Sequence, residues 1–382
     1  MSFLKIENTG LQEWLSQECI KKKIHFLTNL QQACIPAILS GKDILAFSRT
    51  GTGKTLAYVL PLLNYSYMKR RFFLNIIITP TLETSLQVSE VFNALGAKKN
   101  ISSIILSKEA IKEKKDFKRS KTCLISSINN IDIFLYKVFK DTKAVINCFV
   151  IDEADSVFEN FILSKISLIF KKAIPRQCLI FGVSLTNFFY SLIHGVYEKN
   201  LFIFNELASK YSFIENFIFE YIFCPEYLKN AYLKYIVLDF NEKNKNCSSQ
   251  NIIIVFTRSE KQCIEIFEFL KSNRIKSVKI HKNLDLNQRI CATQIFKKKR
   301  INVLICTDIG SRGIDISSVN LIINLNMPKN IKTFLHRIGR GARLYKKGKC
   351  LNLICQDEIK YLNSIENYTG IHFRKSTINL KK

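Results

Sequence analysis

The sequence has no apolar run of the roughly 20 residues that a membrane-spanning helix needs. Near its start, the acidic residues Glu7 and Glu13 interrupt the apolar stretch that a secretory signal peptide would require. These two absences argue against an integral membrane protein and against a secreted one. They predict a soluble protein inside the cell.

Acidic residues are scarce relative to basic ones. The 382 residues include 58 Lys and Arg but 31 Asp and Glu, which gives a formal net charge of +27. The basic excess is spread along the chain, so a polyanion is the natural partner, although an anionic membrane surface would also attract it. The hydrophobic content of 47% is ample for two buried cores and excludes a disordered chain.

Cysteine pairs with metal-binding spacing are also missing. The 12 cysteines include no C-x-x-C pair, and most of them lie inside apolar runs. Cys350 and Cys355 share one apolar run without a histidine beside them, so we expect buried reduced thiols rather than a zinc site. Such thiols predict a reducing compartment.

Short apolar runs recur along the chain and predict strands that are buried on both faces, as in a parallel α/β sheet. They are DILAFS (43–48), LNIIIT (74–79), NCFVID (147–152) and QCLIFGVS (177–184), and later NIIIVFT (251–257), INVLICT (301–307), NLIINLN (320–326) and KCLNLIC (349–355). Stretches of helical length separate them. The change of rhythm predicts two α/β domains, 1–208 and 218–382, joined by a linker at 209–217.

The stretch DILAFSRTGTGKT (43–55) joins a predicted strand to a helix through a loop with two glycines. Such a loop points backbone N–H groups at a phosphate, and the helix N-terminus adds positive potential. Lys54 would reach the outer phosphates and Thr55 would ligate Mg²⁺. The alternative is a chance glycine turn. The predicted nucleotide contacts here are Ser48, Thr50, Gly51, Thr52, Gly53, Lys54 and Thr55.

Two carboxylates, Asp152 and Glu153, follow the predicted strand FVI at its carboxyl end, the edge of an α/β sheet where ligands collect. One acid there can hold Mg²⁺, and a second can orient or deprotonate the water that attacks a γ-phosphate. We predict these roles for Asp152 and Glu153 respectively. The alternative, acids favoured by the dipole at a helix N-terminus, is reasonable for Asp155 but weak for the pair Asp152 and Glu153.

The stretch HRIGRGAR (336–343) places Arg337, Arg340 and Arg343 at every third position. Three arginines with no acid among them imply a multiply charged oxyanion or carboxylates elsewhere in the fold, and a solvated basic turn is the alternative. With a nucleotide in the first domain, closure of the second would let Arg340 and Arg343 neutralise transition-state charge.

Taken together, TGTGKT (50–55), DEAD (152–155), CTDIGSRGIDI (306–316) and HRIGRGAR make the chain resemble a DEAD-box ATP-dependent RNA helicase. The resemblance implies a monomer with two RecA-like domains, each a mostly parallel sheet flanked by helices. ATP and Mg²⁺ would occupy a cleft between the domains, and RNA would be held by its backbone across both. It assigns nucleotide contacts to Thr28, Gln31, Gly313 and Asp315, and RNA contacts to Thr81, Thr257, Arg258, Arg289 and Thr307.

Several positions depart from the family's pattern. Ile24 stands where the family has an aromatic residue that stacks on adenine, and Leu82 stands where it has an arginine. Residues 127–130 replace its Thr-Pro-Gly-Arg element, and residues 182–184 (Gly-Val-Ser) replace Ser-Ala-Thr, the element thought to link ATP state to strand separation. Either backbone amides and the basic charge supply enough RNA affinity, which we favour, or the protein hydrolyses ATP without unwinding much.

Three functions are consistent with these motifs. The leading one is an RNA-stimulated ATPase that opens short duplexes or strips proteins from RNA. The rivals are an ATP-gated RNA clamp or assembly scaffold, and a helicase directed at DNA. The stretches LQEWLSQECI (11–20), CIPAILSGKDIL (34–45) and YIFCPEYLKNAYL (221–233) resemble the branch that acts in small-subunit ribosome assembly, which implies pre-rRNA as the RNA partner, pre-ribosomal proteins and a nucleolar location.

Replacing Arg340 with alanine should slow ATP turnover by about 10³-fold or more, because arginines that neutralise transition-state charge contribute that much elsewhere. Nucleotide affinity should stay near that of the unmodified protein. Steady-state hydrolysis and nucleotide titration measure the two quantities separately. Unchanged turnover would remove the proposed role of this arginine.

Overall fold

The fold is described from a computed structural model of the protein. The residues described are 4–48, 51–68, 73–106, 122–131, 145–157, 166, 169–170, 173–183, 200–206, 217–244, 252–298, 300–311, 319–339 and 348–376. The chain separates into two compact units, Met1–Ala208 and Ser209–Lys382. Phe217, the last residue of the predicted linker, begins a strand of the second unit. The rest of that linker lies outside the described residues.

The first unit is built on a seven-stranded sheet. Its strands are β1 (Asp43–Phe47), β2 (Phe73–Thr79), β3 (Ser102–Leu106), β4 (Thr122–Ser127), β5 (Val145–Ile151), β6 (Gln177–Gly182) and β7 (Leu201–Asn205). Its described helices are α1 (Glu13–Lys21), α2 (Asn29–Leu39), α3 (Lys54–Met68), α4 (Leu82–Gly96) and α5 (Ala154–Val157). The strand order is β3-β4-β2-β5-β6-β1-β7, and the described pairings are parallel.

The second unit repeats this architecture. Its strands are β8 (Phe217–Phe223), β9 (Ile253–Thr257), β10 (Val278–Ile280), β11 (Val303–Thr307), β12 (Leu321–Asn324), β13 (Gly348–Ile354) and β14 (Arg374–Lys375). Its described helices are α6 (Lys229–Lys243), α7 (Glu260–Ser272), α8 (Leu286–Lys297), α9 (Asp308–Ser311), α10 (Ile331–Ile338) and α11 (Ile359–Thr369). The order is β10-β11-β9-β12-β13-β8-β14, again with parallel pairings.

Each sheet separates two hydrophobic cores. In β1, Ile44 and Ala46 belong to one buried cluster, and Leu45 and Phe47 belong to the other. Strand β9 divides its residues between two buried clusters in the same way. Successive side chains of a strand point to opposite faces of the sheet. Because both faces are covered here, the side chains on each face of these strands are apolar. The predicted α/β class with two parallel sheets is confirmed.

The topology brings several loops to one edge of the first sheet. Strands β5, β6 and β1 are consecutive neighbours, so Asp152, Val183 and Ser48, which follow them, start from adjacent carboxyl ends. This is the edge at which ligands of parallel sheets bind. Among the described residues, no helix is both long and apolar enough to cross a membrane.

Replacing Gly310 with alanine should lower the free energy of unfolding by about 1–3 kcal/mol, the usual cost of overpacking. A Cβ at this position of α9 would lie 2.5 Å from the carbonyl oxygen of Ile280 and 2.9 Å from the Cα of His281, so backbone would have to move. Urea denaturation measures the change. Glu265→Ala, on the exposed face of α7, is the control and should change stability by less than about 0.5 kcal/mol. Equal stability of the two variants would contradict this packing.

Candidate functional site

The loop between β1 and α3 has the backbone of a phosphate-binding loop. Gly51 and Gly53 adopt φ values of 84° and 85°, which glycine accepts at little cost. A side chain on Gly53 would overlap the amide of Gln31. Inside the loop, the hydroxyls of Ser48 and Thr52 lie 2.8 Å apart and hydrogen-bond to each other. The predicted contact Thr50 is outside the described residues.

Thr28 and Gln31 hold this loop against the start of α2. The Thr28 hydroxyl donates to the carbonyl of Thr52 at 2.7 Å, and the Gln31 Nε2 donates to the carbonyl of Gly53 at 3.0 Å. The same two side chains form a capping box, in which each accepts a backbone N–H of the other. The two residues assigned to nucleotide contact therefore also fix the shape of the phosphate loop.

The Lys54 side chain is buried and reaches the carboxyl ends of two strands. Its Nζ donates to the carbonyl of Ser48, after β1, and to the carbonyl of Gly182, at the end of β6, 3.3 Å away. Burial lowers the pKa of Lys54, whereas the charges of Asp155 and Asp152 act in the opposite direction. The structure thus brings Lys54, the predicted phosphate ligand, together with Asp152 and Asp155, two of the three acids of the motif.

The Asp152 carboxylate is held by two donors. Its Oδ2 accepts from the Tyr58 hydroxyl at 2.7 Å, and its Oδ1 accepts from the backbone N–H of Glu153 at 2.9 Å. Burial, reinforced by the charge of Glu153, raises the pKa of Asp152 to about 6, and the bond from Tyr58 opposes this rise. Tyr58 was not predicted, because no motif marks a tyrosine in a helix as part of a site.

Glu153 combines backbone strain with an unpartnered carboxylate oxygen. Its φ is 47°, in the left-handed region, which costs a non-glycine residue roughly 1 kcal/mol. Its Oε2 is buried and has no hydrogen-bond partner among the described residues. Strain and an unsatisfied buried acid are rare in a purely structural position and are typical of a reactive site.

Asp155 joins the acidic motif to the end of β6. Its Oδ1 accepts the backbone N–H of Val183 at 2.9 Å. A Cβ on Gly182 would lie 3.0 Å from the same oxygen, so glycine fits closely there. The altered element at 182–184 therefore keeps a bond to the acidic motif through its backbone. Ser184 is outside the described residues.

An oxygen-rich set of residues surrounds the place predicted for Mg²⁺. Thr55 is the second residue of α3, and Tyr58, three residues later on the same helix, donates to Asp152. A carboxylate has about four acceptor positions, and two of those on Asp152 are used by the described donors. Hydroxyl and carboxylate oxygens suit this hard cation, so the residues fit it.

The predicted RNA contacts of the second unit lie at adjacent strand ends. The buried Thr257 hydroxyl, on the last residue of β9, lies 3.3 Å from the carbonyl oxygens of Ser259 and Cys306, either of which can accept its one hydrogen. The Thr307 hydroxyl, on the last residue of β11, accepts from the N–H of Gly310 at 3.2 Å. Both hydroxyls thus have partners within the unit.

The remaining predicted RNA contacts have varied surroundings. The Arg258 side chain is 66% exposed and lies 3.7 Å from the carboxylate of Glu226. Arg289 is half-buried on α8. In the first unit, Thr81 caps α4 by accepting from the N–H of Thr84 at 3.2 Å. Gly313, Asp315, Arg340 and Arg343 lie outside the described residues.

Arg337 is paired inside the second unit. Its guanidinium makes two parallel bonds to the Asp308 carboxylate, 2.6 Å and 2.9 Å long, and donates to the side chain of Asn324 at 2.9 Å. It also lies 5.0 Å from the centre of the Phe256 ring. With 3% of its surface exposed, Arg337 finds its anion within the fold, as one interpretation of the arginine cluster requires.

Cys355 lies in an ion-pair network. Its thiol and the carboxylates of Glu226 and Glu358 place one possible ligand atom each within 4.8 Å of the others. The Lys229 ammonium lies 2.8 Å from Glu226 and 2.7 Å from Glu358 and balances their charge. The group is therefore explained as a buried lysine with two acids.

Comparison with known proteins matches both units. The family model described as DEAD/DEAH box helicase matches residues 28–187, and that of the helicase conserved C-terminal domain matches residues 229–345. Probable ATP-dependent RNA helicase DDX49 of Mus musculus is 31% identical over 363 residues, which cover 94% of this chain and 74% of that protein. ATP-dependent RNA helicase DBP8 of Debaryomyces hansenii is 28% identical over 375 residues, covering 95% and 84%.

A solved structure shares the fold. S. cerevisiae Dbp5 bound to RNA and ADP BeF3 superposes with a TM-score of 0.83 at 21% identity, covering 97% of this chain and 95% of that one. At this level of identity the likeness concerns the fold, which is that of two RecA-like domains.

Replacing Gln31 with alanine should weaken nucleotide binding by about 10- to 30-fold. The change removes the bonds of its amide to Gly53 and Thr28, each worth about 1 kcal/mol, and 1.4 kcal/mol is a factor of ten in affinity. Titration with fluorescent ADP measures the affinity. The matched control is Gln32→Ala, whose amide bonds the carbonyl of Leu27 instead. Equal losses in the two variants would contradict a specific role of Gln31.

Proposed function

The chain belongs to the DEAD/DEAH box helicase family, and we propose that it is an RNA helicase that couples RNA-stimulated ATP hydrolysis to opening short duplexes or remodelling complexes of RNA and protein. The observation that carries this proposal is Glu153, a strained residue with a buried unpartnered carboxylate oxygen beside Asp152. The relatives named ATP-dependent RNA helicases, and the solved Dbp5 with RNA and ADP BeF3, support the same conclusion.

The residues of the first unit have separate roles in hydrolysis. Lys54 binds the outer phosphates, together with the backbone N–H groups of the glycine loop. Glu153 orients the attacking water and accepts its proton. Thr55 and Asp152 would hold Mg²⁺, which would supply positive charge against the phosphates. Gln31 binds the adenine while holding the loop that Gly53 belongs to.

Further roles are proposed from the sequence. Arg340 and Arg343 neutralise charge in the transition state, and Gly313 and Asp315 contact the nucleotide. For RNA, the exposed guanidinium of Arg258 binds a phosphate directly. The other proposed RNA contacts are Thr81, Thr257, Arg289 and Thr307. The net charge of +27 adds affinity that does not depend on base sequence.

The biological setting is proposed from the resemblance to the ribosome-assembly branch. On that basis the RNA is pre-rRNA, the location is the nucleolus, and the protein acts as a monomer among pre-ribosomal proteins. The stretches 11–20, 34–45 and 221–233 support this assignment.

Steady-state ATP hydrolysis, with and without single-stranded RNA, tests the proposed function. RNA should stimulate hydrolysis, and the stimulation should fall as salt rises because phosphate contacts release counterions.

Glu153→Gln should lower turnover by at least about 100-fold with ATP binding retained, since general bases contribute about 10²–10⁴. Lys54→Ala should lose ATP binding.

The same assay separates the alternatives. Binding of ATP and RNA by the unmodified protein without turnover would replace the enzyme by an ATP-gated clamp. Equal stimulation by DNA of the same length and sequence would remove the preference for RNA.

A further inference from the structure

Tyr58 lies wholly inside the first unit, one helical turn after Lys54. Its side chain is 0% exposed, and the centroid of its ring lies 5.3 Å from the centroid of the Phe181 ring. The hydroxyl donates to Asp152 Oδ2 at 2.7 Å, and Thr55 lies three residues earlier on the same helix. The phenol oxygen is therefore bonded to one of the two residues that fit Mg²⁺.

The hydroxyl is not needed for packing. A phenylalanine would fill the same space and keep the contact with Phe181, whereas a buried phenol requires a hydrogen-bond partner. The partner here is a carboxylate, and an ionised acceptor makes the stronger kind of hydrogen bond.

The bond from Tyr58 completes the orientation of the Asp152 carboxylate. The backbone N–H of Glu153 holds Oδ1 at 2.9 Å, and the Tyr58 hydroxyl holds Oδ2 at 2.7 Å. Two donors on different oxygens stop the carboxylate from rotating. Without the Tyr58 hydroxyl, Oδ2 loses this donor. The carboxylate can then rotate about its Cβ–Cγ bond, since the hydrogen bond from the N–H of Glu153 holds Oδ1 alone.

We propose that Tyr58 is a positioning residue of the magnesium site and that it holds the Asp152 carboxylate in the orientation that binds the cation. This inference rests on the proposed function, because it assumes that Asp152 and Thr55 bind Mg²⁺. Residues that orient metal ligands commonly contribute about 10- to 100-fold in metal affinity. Tyr58 thus extends the site by one side chain that does not itself touch the metal.

The test is the Mg²⁺ dependence of ADP binding in Tyr58→Phe. Fluorescent ADP is titrated over a range of Mg²⁺ concentrations and in EDTA, without any turnover. The Mg²⁺ concentration that gives half of the gain in affinity should rise by about tenfold or more. The affinity in EDTA should equal that of the unmodified protein, which also shows that the variant is folded.

Tyr65→Phe is the matched control. Tyr65 is on the same helix, and its hydroxyl donates to the carbonyl of Ile38 rather than to the site. This variant should keep the Mg²⁺ dependence of the unmodified protein. An equal shift in both variants would overturn the proposal, because the effect would then come from a loosened α3.

Two further outcomes distinguish the inference from the proposed function. If the unmodified protein depends on Mg²⁺ and Tyr58→Phe depends on it identically, the positioning role is wrong and the magnesium site stands. If ADP binding by the unmodified protein does not respond to Mg²⁺, the magnesium site itself is wrong. A loss of ADP affinity that is equal with Mg²⁺ and in EDTA would also overturn the role, since it would place the effect on the nucleotide pocket.

Discussion

The buried ammonium of Lys54 is the interaction on which the site of the first unit depends. An unpaired charge inside a protein costs several kcal/mol, so a lysine there needs acceptors and nearby acids. Strands β1 and β6 supply carbonyls from Ser48 and Gly182, and the acidic motif supplies Asp152 and Asp155. These groups lie at the carboxyl ends of three neighbouring strands, β1, β6 and β5. The charge of Lys54 is therefore compensated only while these strand ends keep their positions relative to one another.

This arrangement also explains how the site tolerates the change at 182–184. The family's element begins with a serine, and Gly182 has no hydroxyl to offer. Its carbonyl nevertheless accepts from Lys54, and the N–H of Val183 is bound by Asp155 at 2.9 Å. Both bonds use backbone atoms, which do not depend on the side chain present. The connection between the phosphate lysine and the acidic motif therefore survives the substitution.

The eight strands that form the quoted apolar runs were predictable from sequence. The edge strands β3, β7, β10 and β14 and the interior strands β4 and β8 were not predicted. Each quoted apolar run contains a strand, because burial on both faces leaves both alternating sets of side chains apolar. Strand β7 at one edge is partly exposed along its length, and β10 has three residues, so neither produces a continuous apolar run. The motif residues were predictable because each has a recognisable sequence neighbour. Lys54 follows two glycines, and Asp152 and Glu153 follow an apolar strand. The bond from Tyr58 to Asp152 spans 94 residues, and such a pairing depends on tertiary packing that no local pattern records.

The arginine cluster is a second case in which a local sequence pattern does not record a pairing that tertiary packing creates. The spacing of Arg337, Arg340 and Arg343 in the sequence does not distinguish their roles. In the structure, the charge of Arg337 is neutralised by Asp308, 29 residues away. A bidentate pair of this kind requires the planar fork of arginine, so lysine would not replace it. Arg337 also reaches the side chain of Asn324, at the end of β12, and thereby fixes the carboxyl end of α10 on the sheet. These bonds of Arg337 hold the end of α10 against the sheet, and our proposal assigns the contact with an external phosphate to Arg340 and Arg343.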